Sequence, residues 1–512
     1  MKSFLFSTFL VYLYSLIVIP VSLLEASGLL PITLEETVKR VLENNISISV
    51  QSYNSQVKEQ FVFDKEADFD PTLGLAFTLG EETRLRATTL ANAKTRNQDY
   101  NWNLSVSQRF INGADYDLSI DSNRNMTNSI FASFNPVYTT DLTLNITQPL
   151  LKDFGIDLNK REISIAKNDQ SISDHQFTKK VIDILTEAEN IYWDLVFSIE
   201  DLKVKKTSLQ RASDLAKQVK AQVDVGTLAE LEILQAKSEV ASRDEQLLNA
   251  QNLIEDNEDS LKNILNLSFD SDEGLKKIVP ADSPVFKLGR ESSLENALKT
   301  ALSKRSDLLI KKKELESRNI ETKYNENQIL PTLDLVTSLG LNGLSGDSGT
   351  GVNKKEGGYD TALSKAFSTD YRLWQFGINL SYPLGNRAAK SRLAAKRLEV
   401  AQLLLDIKDL ERKIVVEVRE AHRQIQTDIK RVQASRVAQK LAKEKLNAEE
   451  KKFEVGLSTS FNVLEFQEDL AEQQSKAIKA IIDYNKSRSR LNQAIANTLE
   501  VHDIRLVSKE DS

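Results

Sequence analysis

Apolar and polar side chains alternate strictly in six segments of the chain. In the first, Leu73, Leu75, Phe77 and Leu79 interleave with small or polar residues. Alternation of this kind predicts β-strands with one apolar and one polar face. The predicted strands cover residues 71–80, 99–110, 114–123, 139–150, 331–341 and 371–384. Such strands suit either a soluble sandwich or a membrane barrel, which has lipid outside and water inside.

Long segments with helical spacing follow the strands. Neither Pro nor Gly occurs between Gly155 and Gly226, or between Gly385 and Gly456. Apolar residues recur there every three or four positions, which predicts amphipathic helices of about 70 residues, roughly 105 Å long. Shorter unbroken segments after each glycine complete two helical hairpins, over 156–266 and 386–500. Considered alone, these helices fit a soluble coiled coil equally well.

The chain is an internal duplication. Residues 34–38 resemble residues 294–298, and Pro71-Thr72-Leu73 matches Pro331-Thr332-Leu333, both at an offset of 260 residues. The match resumes at the strand ends, Pro149 and Pro383, and at two Val-Gly pairs. The first copy is longer between its strand prolines, by about one β-hairpin. The predicted segments are repeats at 32–270 and 293–500, a linker at 271–292 and a tail at 501–512.

The connections between the strands differ in length. Asn112-Gly113 predicts a tight hairpin turn, whereas the connections 81–98, 124–138 and 342–370 are long and polar. Following the chain up and down puts the tight turn on the side of the helices and the long loops opposite. Outer-membrane barrels have this asymmetry. Six strands cannot close a wide barrel, so we expect several copies to share one. The extra pair within 100–123 either adds membrane strands or folds back as an appendage.

The N-terminus and the composition narrow the class of protein. Residues 1–27 read as a signal peptide, because the stretch from Phe4 to Leu24 is uncharged and small residues follow it; an uncleaved anchor is the alternative. No later segment is apolar enough for a transmembrane helix. Cysteine is absent, which excludes disulfides and a lipoprotein anchor, and the net charge of −7 argues against nucleic-acid binding.

Catalytic chemistry is not indicated. His175, His422 and His502 lie far apart and lack metal-ligand spacing. The sequence contains no P-loop, nucleophile elbow or dinucleotide fingerprint. We therefore predict no enzyme, no cofactor and no metal site.

The order of these features, repeated twice, resembles the TolC family of outer-membrane efflux proteins. The resemblance covers about residues 32–500 and implies an α+β membrane protein with internally duplicated long antiparallel helices. It also implies a homotrimer with one shared transmembrane β-barrel in outer-membrane lipid and one periplasmic helical tunnel. The implied function is the passive exit duct of a tripartite efflux or type I secretion system. Its implied partners are a periplasmic adaptor and an inner-membrane transporter, while the cargo stays open.

The resemblance also assigns roles to residues near the Val-Gly pairs. It implies that Val225-Gly226 and Val455-Gly456 are hairpin tips that contact the adaptor, although both glycines also suit the backbone of a turn. The acidic constriction positions of the family fall on Asn462 and Glu465. Its acidic tip position falls on Glu232, and the basic partner of that position falls on Ser458. The amide and the serine depart from the family pattern, which puts a salt-bridged closed state in doubt. A three-fold ring of Glu465 would favour cations.

Two other functions fit parts of the pattern. A secreted coiled-coil protein, such as a surface stalk with a soluble β-region, would explain the helices and the signal peptide. A specific uptake porin would explain the strands but gives the long helices no purpose.

Overall fold

The computed structural model describes residues 28–85, 94–289, 293–348 and 355–506. The predicted signal peptide and the end of the predicted tail lie outside them. The chain forms two compact units. The first consists of Met1–Gln56, Ile172–Lys312 and Asp406–Ser512, and the second of Val57–Ser171 and Lys313–Leu405. Each unit therefore takes residues from both copies of the duplication.

Helices form most of the described chain. They are α1 (Leu34–Asn44), α2 (Ile46–Glu66), α3 (Ile156–Asn159), α4 (Arg161–Asp224), α5 (Glu230–Ile264), α6 (Leu294–Lys304), α7 (Ser306–Asn327), α8 (Tyr359–Phe367), α9 (Arg387–Glu454), α10 (Ser460–Ala494) and α11 (Thr498–Val501), with a 3-10 turn at Ala67–Phe69. None of them, within the residues that the structure describes, has both the length and the apolarity to cross a membrane.

The strands form two sheets. They are β1 (Leu29–Ile32), β2 (Thr72–Leu85), β3 (Lys94–Arg109), β4 (Asp115–Thr127), β5 (Val137–Pro149), β6 (Lys277–Pro280), β7 (Thr332–Gly346) and β8 (Arg372–Ser381). In the first unit, β1 pairs with β6 in parallel. In the second unit, six antiparallel strands lie in the order β2-β3-β4-β5-β7-β8. The predicted combination of long helices and antiparallel strands is confirmed.

The extra hairpin of the first copy is a continuous part of the large sheet. Strand β3 pairs with β2 along its whole length, as in Leu104 opposite Leu75, and β4 pairs with β5, as in Leu118 opposite Leu144. The hairpin therefore does not fold back as an appendage. Its turn is tight: the Phe110 amide donates to the Ala114 carbonyl (2.7 Å), and Gly113 has a φ of +94°.

The large sheet has two chemically distinct faces, as the alternation predicts. We call the face that carries Leu73, Trp102, Leu144 and Trp374 the apolar face, and the opposite face the polar face. The outer strands expose their apolar side chains most, since Leu75 is 76% and Trp374 is 68% exposed. Four helices join the sheet at one end, which we call the helix end: α2, α4, α7 and α9. The other end is the loop end.

The predicted connections at the loop end are wrong in part. Strands β2, β3, β4 and β5 extend into the connections predicted at 81–98 and 124–138, which are therefore shorter than expected. The sequence predicts a polar loop at 342–370, but this segment contains helix α8, which packs on the apolar face beside β7. A Cβ added to Gly343 would lie 1.9 Å from the Ala362 carbonyl oxygen. The absence of a side chain at Gly343 thus permits close contact. The helix has nine residues and lies among glycines, so its periodicity is too short to detect.

The duplication is visible in matched helix pairs. Helices α1 and α6 each have 11 residues and begin after a hydroxyl cap. The Thr33 hydroxyl accepts from the Glu36 amide (3.1 Å), and the Ser293 hydroxyl accepts from the Asn296 amide (3.3 Å). A side-chain oxygen at this position satisfies an amide that has no partner within the helix. The first helix of each copy therefore begins with the same kind of N-cap, a side-chain hydroxyl.

The small parallel sheet belongs to a core in the first unit. Strand β6, from the predicted linker, packs with β1 against buried residues of α1, α4 and α5. Tyr192 is fully buried there, and its hydroxyl donates to Asp282 Oδ2 (2.7 Å). Burial raises the pKa of Tyr192, and the bond to Asp282 raises it further. The residues between the copies are thus structural rather than a loose connection.

Candidate functional site

The first helical tip is the turn between α4 and α5. The Gly226 amide donates to the Val223 carbonyl (2.8 Å), and the Thr227 amide donates to the Gln222 carbonyl (2.9 Å). Gly226 has a φ of +81°. This pair of bonds around a left-handed residue is a Schellman motif, which satisfies the last carbonyls of a helix and favours glycine.

The second tip, between α9 and α10, has the same backbone. The Gly456 amide donates to the Phe453 carbonyl (3.0 Å), and the Leu457 amide donates to the Lys452 carbonyl (2.8 Å). Gly456 has a φ of +76°. The residue before each glycine points an apolar side chain into solvent, because Val225 is 74% and Val455 is 69% exposed. Both turns thus present an exposed valine beside a glycine.

The helices that follow the two tips begin differently. The Thr459 hydroxyl caps α10 by accepting from the Asn462 amide (3.4 Å). Ala229 precedes α5 at the matching position and has no side chain that can cap. The first tip therefore lacks a side-chain bond that the second tip has.

A second bond within tip two involves a nearly buried carboxylate. The Ser458 hydroxyl donates to Glu449 Oε1 (2.6 Å), and Lys452 Nζ lies 3.0 Å from Glu449 Oε2. The bond from Ser458, followed by that from Lys452, holds the pKa of Glu449 below its usual value. The side-chain amide of Asn462 also donates, through Nδ2, to Ser458 Oγ (3.4 Å). The structure therefore ties Ser458 and Asn462 to one network.

The two tips contact each other through Glu232. Its carboxylate accepts from the hydroxyl of Ser460, which is fully buried at the start of α10. The family's basic partner position falls on Ser458, which bonds Glu449 instead, so Glu232 has a hydroxyl partner here rather than a charged one. Glu465 lies one turn further along α10. It is exposed and has no charged partner in the part of the chain that the structure describes.

The four tip helices share a packed core. Buried side chains from α4, α5, α9 and α10 meet in one cluster, which includes Leu215, Ala236, Leu446 and Val463. The acidic and hydroxyl groups described above lie around this cluster. The positions of the groups that lie on helices, Glu232, Glu449 and Ser460, are therefore set by helix packing.

Sequence reasoning missed Arg243, which lies within the same bundle. Its side chain is 2% exposed, and it contacts Glu239 Oε1 (2.8 Å) one turn earlier. It also donates to Ser208 Oγ of α4 (3.1 Å) and to the Leu464 carbonyl of α10 (2.8 Å). One guanidinium thus joins three helices. Its spacing of seven residues from buried Ala236 and Ala250 could have identified it as an inward-facing position.

The strand prolines lie at the helix end of the large sheet. Pro71 and Pro331 immediately precede β2 and β7, Pro149 ends β5, and Pro383 follows β8 by two residues. Proline lacks the amide that a strand interior needs, so it suits these termini. No set of three His, Asp or Glu residues that could hold a metal ion occurs in the ranges that the structure describes.

Several solved structures have the same fold. The channel VceC from Vibrio cholerae aligns with a TM-score of 0.64 and 15% identity, covering 90% of this chain and 95% of that one. CmeC from Campylobacter jejuni aligns with a TM-score of 0.65 and 14% identity, covering 91% of this chain and 86% of that one. The open state of MtrE from Neisseria gonorrhoeae aligns with a TM-score of 0.62 and 14% identity, covering 91% of this chain and 89% of that one. No curated protein matches the chain by sequence.

The family match covers both copies of the duplication. The family model described as outer membrane efflux protein matches residues 37–267 and 297–497. These two blocks make up more than four fifths of the 512 residues. The chain therefore belongs to the outer membrane efflux protein family, which confirms the predicted outer-membrane channel and the prediction that it is not an enzyme.

Proposed function

We propose that this chain is the outer-membrane exit duct of a tripartite efflux or type I secretion assembly, and that it works as a homotrimer. The observation that carries the proposal is the large sheet. Its outer strands, β2 and β8, have no strand partner on their outer edges among the described residues. They also expose rows of apolar side chains. Edges and surfaces of this kind need partners, which neighbouring copies and lipid would supply.

Strand directions support closure by a second copy. Successive strands of the sheet are antiparallel, so β2 and β8 run in opposite directions. Strand β8 of one copy can therefore pair with β2 of the next in the same antiparallel manner. Three copies of six strands give a barrel of eighteen strands. With strands spaced about 4.8 Å apart and tilted by about 40°, such a barrel is about 35 Å across, against about 24 Å for twelve strands.

The polar face would then line the lumen. It carries several carboxylates along the strands and few bases. Asp121 lies directly opposite Asp141, and Asn103 Nδ2 donates to Asp121 (2.5 Å). A hydrated lumen can keep such a like-charge pair solvated. This supports a water-filled passage over the surface stalk, because a stalk in water would leave the apolar face exposed without a partner.

The tips supply the proposed periplasmic contacts. Val225, Gly226, Val455, Gly456 and Ser458 form the surface that we assign to the adaptor, because both turns present exposed apolar side chains. Asn462, Glu465 and Glu232 form the proposed constriction. Glu465 is the unpaired charge of this set, so a three-fold ring of Glu465 is the strongest candidate for an ion-selective element.

Reconstitution into planar bilayers tests the function and the constriction together. We expect the trimer to form cation-selective pores, and Glu465→Gln to move the reversal potential in a salt gradient toward zero. Glu468→Gln is the matched control, since Glu468 is exposed on the same helix and has no charged partner in the described chain. A protein that never conducts would refute the duct. Conducting pores with an unchanged reversal potential would remove only Glu465 from the constriction.

A further inference from the structure

The apolar face of the large sheet is charged at one end only. The strand register places five charged side chains on this face, and all of them lie toward the loop end: Lys94, Arg96, Arg124, Arg372 and Glu81. Four are basic, and the one carboxylate, Glu81, pairs with Arg96 (2.6 Å). At the helix end, the corresponding polar positions are uncharged, as at Gln108 and Gln148. The loop-end rim of this face is therefore cationic.

Aromatic rings accompany the basic residues. The Arg124 guanidinium lies over the rings of Tyr100 (5.2 Å) and Tyr138 (5.9 Å), and its Nε donates to the Tyr138 hydroxyl (3.2 Å). Tyr359 of α8 contacts the same Tyr138 ring (4.8 Å). Amphipathic aromatic residues such as tyrosine are enriched at membrane–water boundaries. This combination suits a membrane–water boundary at the level of Arg124.

Helix α8 covers a gap in the apolar surface. On β4 and β5 the apolar side chains stop short of the loop end, where Ser122 and Thr140 follow. These two hydroxyls bond each other (2.8 Å) and are buried. Helix α8 lies on the same face, with Ala362 and Ala366 buried against the sheet.

The outer side of α8 continues the apolar surface. Leu363 is 38% and Phe367 is 57% exposed, one helical turn apart. Lys365, between them, is exposed and donates to the Leu344 carbonyl (2.9 Å). The helix thus adds apolar contact area and a fifth base, Lys365, to the rim. The only carboxylate within the helix itself is Asp360. An amphipathic helix with this pattern suits the plane of a membrane surface.

We propose that this rim and α8 bind the phosphate-bearing headgroups of anionic lipids in the leaflet at the loop end. The proposal rests on the membrane insertion proposed above. Its chemistry is charge complementarity: Lys94 and Arg372 are exposed bases without a carboxylate partner in the described residues, and they lie beside an exposed apolar surface. Basic residues near a membrane surface attract anionic lipids over zwitterionic ones, and salt screens this attraction.

Tryptophan fluorescence can measure this preference directly. Trp102 and Trp374 both lie on the apolar face, and Trp193→Phe removes the third tryptophan. The full-length Trp193→Phe trimer is reconstituted in phosphatidylcholine bilayers that contain either brominated phosphatidylcholine or brominated phosphatidylglycerol, since bromine quenches tryptophan on contact. We expect stronger quenching by the anionic lipid at low salt. Replacing Lys94 and Arg372 by Gln should lower the relative affinity for phosphatidylglycerol by about fivefold for each charge removed.

Arg392→Gln is the matched control, because Arg392 is exposed on α9 and lies outside the sheet. It should leave the preference unchanged. A separate variant, in which Trp102, Trp193 and Trp374 are replaced by Phe and Phe367→Trp supplies the only tryptophan, should be quenched by both lipids, because α8 contacts the bilayer in this proposal. Equal affinity for both lipids in the parent protein, or a preference that survives the Lys94 and Arg372 substitutions, would overturn the proposal. Absence of quenching by either lipid would instead refute membrane insertion, and with it the proposed function.

Discussion

The hairpin α4–α5 and the hairpin α9–α10 have the same turn but are held in different ways. Both turns close around a left-handed glycine with the same pair of amide bonds. The second hairpin adds bonds at its tip, from Thr459 and Ser458. The first has one bond of its own, from the Thr227 hydroxyl to the Gln222 carbonyl (2.8 Å), and is joined inside the bundle by Arg243. Duplication has thus kept the backbone motif and redistributed the side-chain contacts.

The position that corresponds to Arg243 makes the contrast clear. At the offset of 230 residues that relates the two turns, Arg243 corresponds to Gln473, and Glu239 to Asp469. Gln473 donates to Asp469 within its own helix (3.2 Å), whereas Arg243 also reaches two other helices. The first hairpin is therefore fixed to its neighbours away from its tip, and its turn is left with fewer restraints. We infer that the first tip opens more readily than the second.

Replacing Arg243 should have the largest effect. Arg243→Gln gives the first hairpin the residue of the second, and it removes charged donors from buried oxygens of Ser208 and Leu464. We expect the free energy of local opening of α5 to fall by about 2–3 kcal/mol. Amide hydrogen exchange of the trimer measures this region by region. Gln473→Ala is the comparison, with an expected change within about 0.5 kcal/mol. Similar losses in both variants would contradict the assigned difference.

Exchanging the helix caps tests the tips themselves. Thr459→Ala should destabilise the first turn of α10 by about 1 kcal/mol, because the Asn462 amide loses its acceptor. Ala229→Thr should stabilise the first turn of α5 by up to a similar amount. Exchange rates of the first-turn amides, measured for both variants, should therefore change in opposite directions. If Ala229→Thr has no effect, the difference between the tips does not come from capping.

The smallest expected effect concerns acid sensitivity of the second tip. Because the folded-state pKa of Glu449 is lowered, its contribution to stability is present above the usual carboxyl pKa. It is lost as pH falls through the lowered value. Ser458→Ala removes the largest cause, so the pKa of Glu449 should rise toward its usual value and its contribution to stability above that value should become smaller. Carboxyl-carbon NMR of labelled Glu449 measures the titration.

Lys452→Gln is the control for this titration. Lys452 is the second cause of the lowered pKa, so its loss should raise the pKa of Glu449 less than the loss of Ser458. A Glu449 titration that is the same with and without the Ser458 hydroxyl would show that the bond does not form in solution.

Local patterns account for the parts of the molecule that could be predicted from sequence. Alternation identified the strands and their faces, because side chains on a strand point to opposite sides whatever surrounds them. The Val-Gly pairs identified the turns, because few residues tolerate positive φ. These rules act within a few residues, so distant packing does not alter them.

Contacts between helices were not predictable in the same way. The acceptor that Ser460 reaches on α5, and the two helices that Arg243 joins, depend on how four helices pack. The resemblance showed that Ser458 replaces the basic partner of Glu232, but it did not show that Ser458 bonds Glu449 and that Ser460 bonds Glu232. A hydroxyl has a short reach, so a shift of two residues on a helix changes its partner. Helix α8 was missed because its position depends on close packing at Gly343, which periodicity does not report.

The diameter of the proposed pore depends on the extra hairpin, and the hairpin could be removed by design. Strands β3 and β4 add an even number of strands, so β2 and β5 remain antiparallel to each other. Strand β2 ends and strand β5 begins at the loop end of the sheet. A chain in which a short turn replaces everything from the end of β2 to the start of β5 could therefore pair these two strands directly. It would leave a four-stranded sheet with every remaining strand in its original direction. The width of the proposed barrel could then be changed by removing β3 and β4, without changing the sequence of the long helices.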